Sequence, residues 1–385
     1  YNNICMLSFL SNFLGKKSPS VIGIDIGSSS IKVVQLRKKG NQALLETYGE
    51  LSLGPYAGVS VGQATNLPNE KVIEALHDLL VEKEVNITTN LAGIAIPYSS
   101  SLMMVVEMPL VSPKELEVMI PIEARKYIPV PITEVSLDWS VIPRDSIRPD
   151  PLPEDASVPI PLNSIVKKMQ TQDVLLVAIH NETLSRYTDI AAKNTLSTSF
   201  FEIEIFSTMR SVLDQTTAPV MIFDMGAATT KLFIVERGIL RVSHTINRGS
   251  QNITSAISKS FGIEMDKAEV MKRQYGLLDN TPDGVNVSKI ITLTLDFLFT
   301  EANRVIFSYE KKYNKNVSKV LMVGGGSSLK GLEPLAKKSF QTEALGGNPF
   351  SKVITPAFLD QVLKQSGPQF AVALGLALRR LQELE

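Results

Sequence analysis

Two short stretches of this chain repeat each other in register. Residues 22–32 read IGIDIGSSSIK and residues 221–231 read MIFDMGAATTK, so Asp25 and Asp224 stand 199 residues apart (224 minus 25). Gly27 then matches Gly226, Ser30 matches Thr229 and Lys32 matches Lys231. In each copy an apolar run enters a turn of small residues and a second apolar run leaves it, the pattern of a β-hairpin. A single Asp-x-Gly turn is common in hairpins that need left-handed backbone. Two copies, each opening half of a 385-residue chain, point to a duplicated structural unit.

The turns suit a polyanion. Glycine lets the backbone approach a phosphate closely, and successive N–H groups in a tight turn form an anion-binding nest. Ser28, Ser29 and Ser30 in the first turn, and Thr229 and Thr230 in the second, add short hydroxyl donors. The second turn carries Ala227 and Ala228 where further hydroxyls could stand. An aspartate at each strand end, Asp25 and Asp224, can organise Mg²⁺ through its waters. Residues 323–332 (VGGGSSLKGL) run from a strand into three glycines and a helix start. That bare backbone suits a flat base, so Gly324, Gly325, Gly326 and Ser327 are expected to contact an adenosine. ATP with Mg²⁺, held between two facing hairpins, is the expected ligand. No G-x-x-x-x-G-K-[ST] loop occurs, nor a G-x-G-x-x-G after the first strand.

The remaining chain alternates strands with helices, an α/β order. Strands are expected at 21–25, 31–36, 90–97, 134–142, 173–179, 220–224 and 319–323. Helices are expected at 69–82, 182–193, 252–261, 267–275, from 288 to about 313, and at 369–384. Ser112, Pro113 and Glu115 form the start signature of a helix that should end near Ile128, before Pro129 and Pro131. Residues 143–161 hold six prolines and several acids, which reads as an exposed loop or hinge.

Composition narrows the function classes. Lys plus Arg and Asp plus Glu both number 39, so no net basic charge recommends a nucleic-acid partner. The one cysteine, Cys5, can form neither an internal disulfide nor a cysteine metal site. His77, His180 and His244 are scattered. No apolar run reaches the roughly 18–20 residues that cross a bilayer. Residues 6–14 (MLSFLSNFL) are too short for that and are expected to form a short helix, packed on the body or frayed, or else a docking or membrane-surface helix. Met6 reads as a plausible natural start, with residues 1–5 preceding it.

These motifs resemble the actin, heat-shock chaperone and sugar-kinase superfamily. In its terms IDIGSSSIK and FDMGAATTK resemble the two phosphate motifs and VGGGSSLKG the adenosine motif. The chain is more similar still to the type IV pilus assembly PilM family, relatives of the cell-division protein FtsA. That likeness rests on residues 23–32, 123–139 (EARKYIPVPITEVSLDW), 248–276 and 373–379, and it runs from about residue 7 onward. It implies an α/β, actin-like two-domain ATPase fold of ribonuclease H-like repeats with an inserted FtsA-type subdomain. The implied division is 16–101, 180–217 and 350–385 for the first domain, 102–179 for the insertion and 218–349 for the second domain. It further implies a cytoplasmic protein peripheral to the inner membrane, which meets the membrane only through partners. The implied partners are the N-terminal tail of a PilN-like membrane protein, the pilus motor ATPase, and other copies of the chain in a ring.

Individual residues take expected roles. Asp25 would organise metal-bound water, and Asp224 would do the same or orient an attacking water. Lys32 and Lys231 are either phosphate ligands or solvated strand lysines. Glu269 and Lys272 match helix residues that touch ribose and base in the superfamily, or form a surface pair. Glu204, within FEIEIF, falls where actin-like ATPases place a water-positioning residue. Three functions remain open: a nucleotide-dependent binding module that is at most a weak ATPase, an FtsA-like filament protein, and a small-molecule kinase. The kinase would need an Asp base, for which Asp189 is the nearest candidate apart from Asp25.

Overall fold

A computed structural model describes residues 18–142, 171–214 and 217–384. The expected helix within 6–14 and the proline-rich stretch 143–161 lie outside the described residues. The chain divides into two compact units. One comprises Ile96–Asp189, and the other joins the residues up to Ala95 with those from Ile190 onward.

The larger unit is built on two five-stranded sheets of the same design. In the first, β1 (Ser20–Ile26), β2 (Ser30–Lys39) and β3 (Gln42–Ser52) form an antiparallel meander. β4 (Leu91–Ile96) adds parallel to β1, with α1 (Asn69–Val81) as the crossover. The order is closed by β8 (Ser197–Ile203), giving β3-β2-β1-β4-β8. The second sheet repeats this plan with β9 (Val220–Met225), β10 (Thr230–Glu236), β11 (Ile239–Ile246), β12 (Lys319–Val323) and β13 (Glu343–Gly346), in the order β11-β10-β9-β12-β13. The register carries the sequence repeat into space. Asp25 faces Lys32 across β1 and β2, and Asp224 faces Lys231 across β9 and β10.

The apolar central strands need cover on both faces. On one face of the second sheet this comes from α5 (Ser250–Phe261), α6 (Met265–Tyr275), α7 (Pro282–Tyr313) and α8 (Leu332–Phe340). Phe223, Phe299 and Phe340 meet there ring to ring, with centroids 4.9 to 6.1 Å apart. α7 starts six residues before the expected position. Thr281 caps it, its hydroxyl accepting from the Gly284 N–H at 3.2 Å, and Pro282 fills the first turn.

The first sheet is covered on one face by α10 (Ala371–Gln382), which follows the short α9 (Asp360–Ser366) and packs on β1 and on α4 (Glu204–Val212). α4 is not among the expected helices; β8 runs through the first part of FEIEIF and the helix takes the rest. The strand stops at Ile203, and Glu204 opens the helix, where a carboxylate complements the positive end of the helix dipole. Glu202 anchors this corner. Both Arg210 nitrogens donate to it at 2.8 Å, Arg379 donates at 2.8 Å, and the Ser207 hydroxyl donates as well. Arg379 also lies over the Phe200 ring. Of the two arginines of α10, Arg379 is half-buried in this network and Arg380 is buried.

The smaller unit is an antiparallel sheet of β5 (Ser101–Pro109), β7 (Thr171–His180) and β6 (Val135–Ile142), in the order β5-β7-β6. α2 (Pro113–Ala124) packs on it through Leu116, Ile120 and Ala124. The predicted capping box is present: the Ser112 side chain accepts from the Glu115 N–H, and Glu115 accepts from the Ser112 N–H at 2.9 Å. α3 (Asn181–Lys193) follows β7. Among the described residues no helix is long and apolar enough to cross a membrane.

Two glycines set how closely α10 approaches. A Cβ added at Gly23 would lie 1.9 Å from the Ala373 carbonyl oxygen, and one at Gly375 would lie 1.9 Å from that of Ser207. Both neighbours are backbone and cannot swing aside. Gly375→Ala is expected to cost about 3 kcal/mol by forcing α10 off α4. Urea unfolding of the variant against the unsubstituted chain measures this.

Candidate functional site

The two hairpin turns are held by the same hydrogen bond. The Gly27 N–H donates to the Ser30 carbonyl at 3.0 Å, and the Gly226 N–H donates to the Thr229 carbonyl at 2.9 Å. Neither glycine has positive φ, so left-handed backbone is not what requires them. Close approach is: an added Cβ would lie 3.1 Å from the Ser30 oxygen in one turn and 3.0 Å from the Thr229 oxygen in the other.

Both turns are also tied from behind. Leu53 and Thr65 donate their N–H groups to the carbonyls of Ser29 and Ser28, at 2.9 and 2.8 Å. Ser250 and Gln251, at the start of α5, donate to the carbonyls of Gly226 and Ala227, at 2.9 and 3.0 Å. Carbonyl oxygens that would repel an anion are thereby engaged with the protein's own N–H groups.

The turns meet at a cavity of about 830 Å³. The first contributes Asp25, Gly27, Ser28, Ser29, Ser30 and Lys32, and the second contributes Asp224, Gly226, Ala227, Thr229 and Lys231. Gly324, Gly325, Gly326 and Ser327 line it from the third motif, and Glu204, Glu269 and Lys272 complete the expected set. Gly324 has φ +81°, and a Cβ there would lie 2.5 Å from Asp224 Oδ1, so the third motif rests directly on the second hairpin.

Two expected residues are placed elsewhere. Ala228 is not among the cavity residues. Thr230 is fully buried, and its hydroxyl donates to the Arg248 carbonyl at 2.8 Å, which leaves Thr229 as the hydroxyl of the second turn. The alternation of the strand turns successive side chains to opposite faces, and this separates Thr230 from Lys231. The kinase candidate Asp189 is exposed and does not line the cavity.

Glu269 and Lys272 are not a surface pair. Both are buried and lie 2.6 Å apart, and Thr254 and Arg273 also bond Glu269, at 2.6 and 2.7 Å. Burial acts to raise the Glu269 carboxyl, but Lys272, with help from Thr254 and Arg273, holds it below the usual range. Sequence reasoning missed Glu50 and Ser52 on β3, Thr208 on α4, and Gln369. The register supplies the signal for one of these, since Glu50 stands opposite Lys32 across β2 and β3.

The cavity floor is a field of opposed charges. Lys32 donates to Ser30 Oγ at 2.6 Å and pairs with Glu50 at 3.4 Å. Lys231 pairs with Glu204 at 2.7 Å and lies 3.7 Å from Asp224. Burial is the largest influence on Asp25 and pushes its carboxyl up to about 6; Lys32 and Lys231 pull it down, while Glu204 and Asp224 push it up. Asp224 is raised by burial too, against the pull of Lys231. Burial opposes the Lys231 charge, but Glu204 and Asp224 overcome it and hold the ammonium above the ordinary lysine range.

This donor set fits a hydrated divalent ion. Mg²⁺ keeps several waters and takes only one or two carboxylates. Asp25 and Asp224 supply two desolvated carboxylates whose charge a cation would relieve. Among the described residues no three His, Cys, Asp or Glu side chains form a metal cage.

Asp25 also makes a prediction for the ligand-free protein. Its carboxyl titrates near 3.8 when unfolded and about 6 when folded, so its stabilising contribution is full below the first value and lost as pH rises through the second. The loss amounts to up to about 3 kcal/mol. Asp25→Asn is expected to remove that loss, so urea midpoints of the two proteins should diverge between pH 4 and 7. Parallel midpoint profiles would refute the assignment.

Comparison with known proteins agrees with this architecture. The family model of type IV pilus assembly protein PilM matches residues 23–154 and 161–381. The cell division protein FtsA of Neisseria meningitidis serogroup B is 25% identical over 183 residues, which are 42% of this chain and 43% of that one. FtsA of Buchnera aphidicola is 23% identical over 164 residues, 36% of this chain and 39% of that one. The chain thus spans less than half the length of the curated relatives it matches. Among solved structures, a PilM–PilN type IV pilus biogenesis complex superposes with a TM-score of 0.74 at 23% identity, covering 94% of this chain and 98% of that one. The ethanolamine utilization protein EutJ of Carboxydothermus hydrogenoformans gives 0.54 at 13% identity, covering 94% and 90%. The fold is the actin-like two-domain α/β fold that the resemblance implies, and the chain belongs to the type IV pilus assembly protein PilM family.

Proposed function

We propose that this protein binds ATP with Mg²⁺ in the cavity between its two repeated sheets and works as a nucleotide-dependent binding component of type IV pilus assembly. The carrying observation is convergence: two matching turns, 199 residues apart (224 minus 25), and the third glycine motif line one cavity. Gly27–Ser30 and Gly226–Thr229 would take the phosphates from two sides. Hydrogen bonds to charged groups contribute about 1.5–3 kcal/mol each, so several are needed to offset the cost of association. Asp25 and Asp224 would hold Mg²⁺, which supplies neutralising charge to the phosphates. Gly324–Ser327 would receive the adenosine, and the buried Glu269–Lys272 pair would face its ribose. Hydrolysis would be slow, because Glu204 is engaged by Lys231.

The partner is the N-terminal cytoplasmic tail of a PilN-like membrane protein. Family membership supports this reading, as does the described PilM–PilN complex with the same fold. The protein would then sit at the cytoplasmic face of the inner membrane, held there by that partner, with the pilus motor ATPase and further copies of the chain close by.

Calorimetry tests both halves. ATP with Mg²⁺ is expected to bind the unsubstituted chain, and Gly226→Val, which crowds the Thr229 carbonyl, is expected to weaken binding at least tenfold. A synthetic PilN-like tail peptide should bind with an affinity that changes when ATP and Mg²⁺ are present. Absence of adenine-nucleotide affinity defeats the cofactor reading, and absence of peptide binding in either state defeats the partner reading.

A further inference from the structure

The two lysines that the repeat makes equivalent are used differently. Each stands opposite an aspartate in its hairpin. Lys32 stays within its own sheet, on Ser30 and Glu50. Lys231 crosses the cavity from β10 to Glu204 Oε1 on α4, 2.7 Å away, and keeps Asp224 Oδ2 at 3.7 Å. Its side chain is 17% exposed, and those of Glu204 and Asp224 are 11% and 13% exposed. Three carboxylates, those of Asp25, Asp224 and Glu204, line one cavity.

We infer that Lys231 is a built-in cation, seated between Glu204 and Asp224 where the cavity would otherwise draw a divalent ion, and that it restrains Glu204 from activating water. Removing one partner of a buried pair leaves the other charge uncompensated, and at short range in a desolvated site that imbalance is large. Without Lys231 the two carboxylates would turn to the next available cation. Mg²⁺ needs only one or two carboxylates and its own waters to occupy such a place. The cation role stands independently of nucleotide. The restraint on hydrolysis rests on the ATP-binding reading above.

The experiment separates these. Mg²⁺ alone is titrated calorimetrically into the full chain and into Lys231→Met, Lys231→Gln and Lys231→Arg. The neutral variants are expected to bind Mg²⁺ at least about tenfold more tightly than the unsubstituted chain, and Lys231→Arg to stay within about twofold of it. Neutral variants that fold only with Mg²⁺ present would also support the inference. Mg²⁺ affinities within twofold throughout would overturn it, as would neutral variants that fail to fold with Mg²⁺ and without it. In a second arm, Lys231→Met is expected to hydrolyse ATP at least about tenfold faster, and Glu204→Gln in the same background to abolish the gain. No gain overturns the restraint on Glu204. A chain that binds no nucleotide defeats the proposed function while the Mg²⁺ result still judges Lys231.

Discussion

Cross-strand register is the constraint on which the site depends. In each hairpin, the bond from a glycine N–H to a carbonyl three residues on fixes a tight reversal. Once that bond is made, the residue two before the glycine must face the residue five after it. Asp25 therefore meets Lys32, and Asp224 meets Lys231. A one-residue slip would turn every side chain of the strand to the other face and dissolve both pairs. β2 and β10 are buried along most of their length, so a slip would also have to repack both strands against their neighbours.

Burial of this much charge has to be balanced locally. Desolvation alone raises both aspartates, and the two lysines limit that rise. The same logic recurs at Glu202, where two arginines and a serine surround one carboxylate at the junction of β8, α4 and α10. That junction matters to the cavity because α4 begins with Glu204. Gly23 and Gly375 permit α10 to lie close enough for the network to form. The position of a cavity carboxylate thus depends on two glycines outside the binding turns.

Much of this was legible in the sequence because it rests on local chemistry. The hairpins, the Ser112 capping box and the third glycine motif each follow from a few neighbouring residues. What escaped depends on tertiary context. FEIEIF alternates like a strand through Ile203, and only the packing of α4 on α10 makes the rest helical. Thr230 carries a hydroxyl fit for a phosphate, yet strand alternation turns it to the Arg248 carbonyl. Glu269 and Lys272 have the spacing of an ordinary helix pair. Both bond Thr254 on α5, a partner that helical spacing alone does not reveal.

The departure from symmetry bears most directly on mechanism. Duplication by itself would produce two equivalent half-sites, each with a turn, an aspartate and a lysine. The halves differ in what stands beside the lysine. Next to Lys32 is Glu50 on the adjacent strand of the same sheet, so its charge is satisfied within one half. Next to Lys231, besides Asp224 of its own hairpin, is Glu204, carried by a helix that packs with the first sheet's α10, so its nearest charge partner lies across the cavity. A contact of that kind couples the spacing of the halves to the charge state of the site. Anything that displaces the Lys231 ammonium from Glu204 changes both at once, a physical route from occupancy of the cavity to a change in its width.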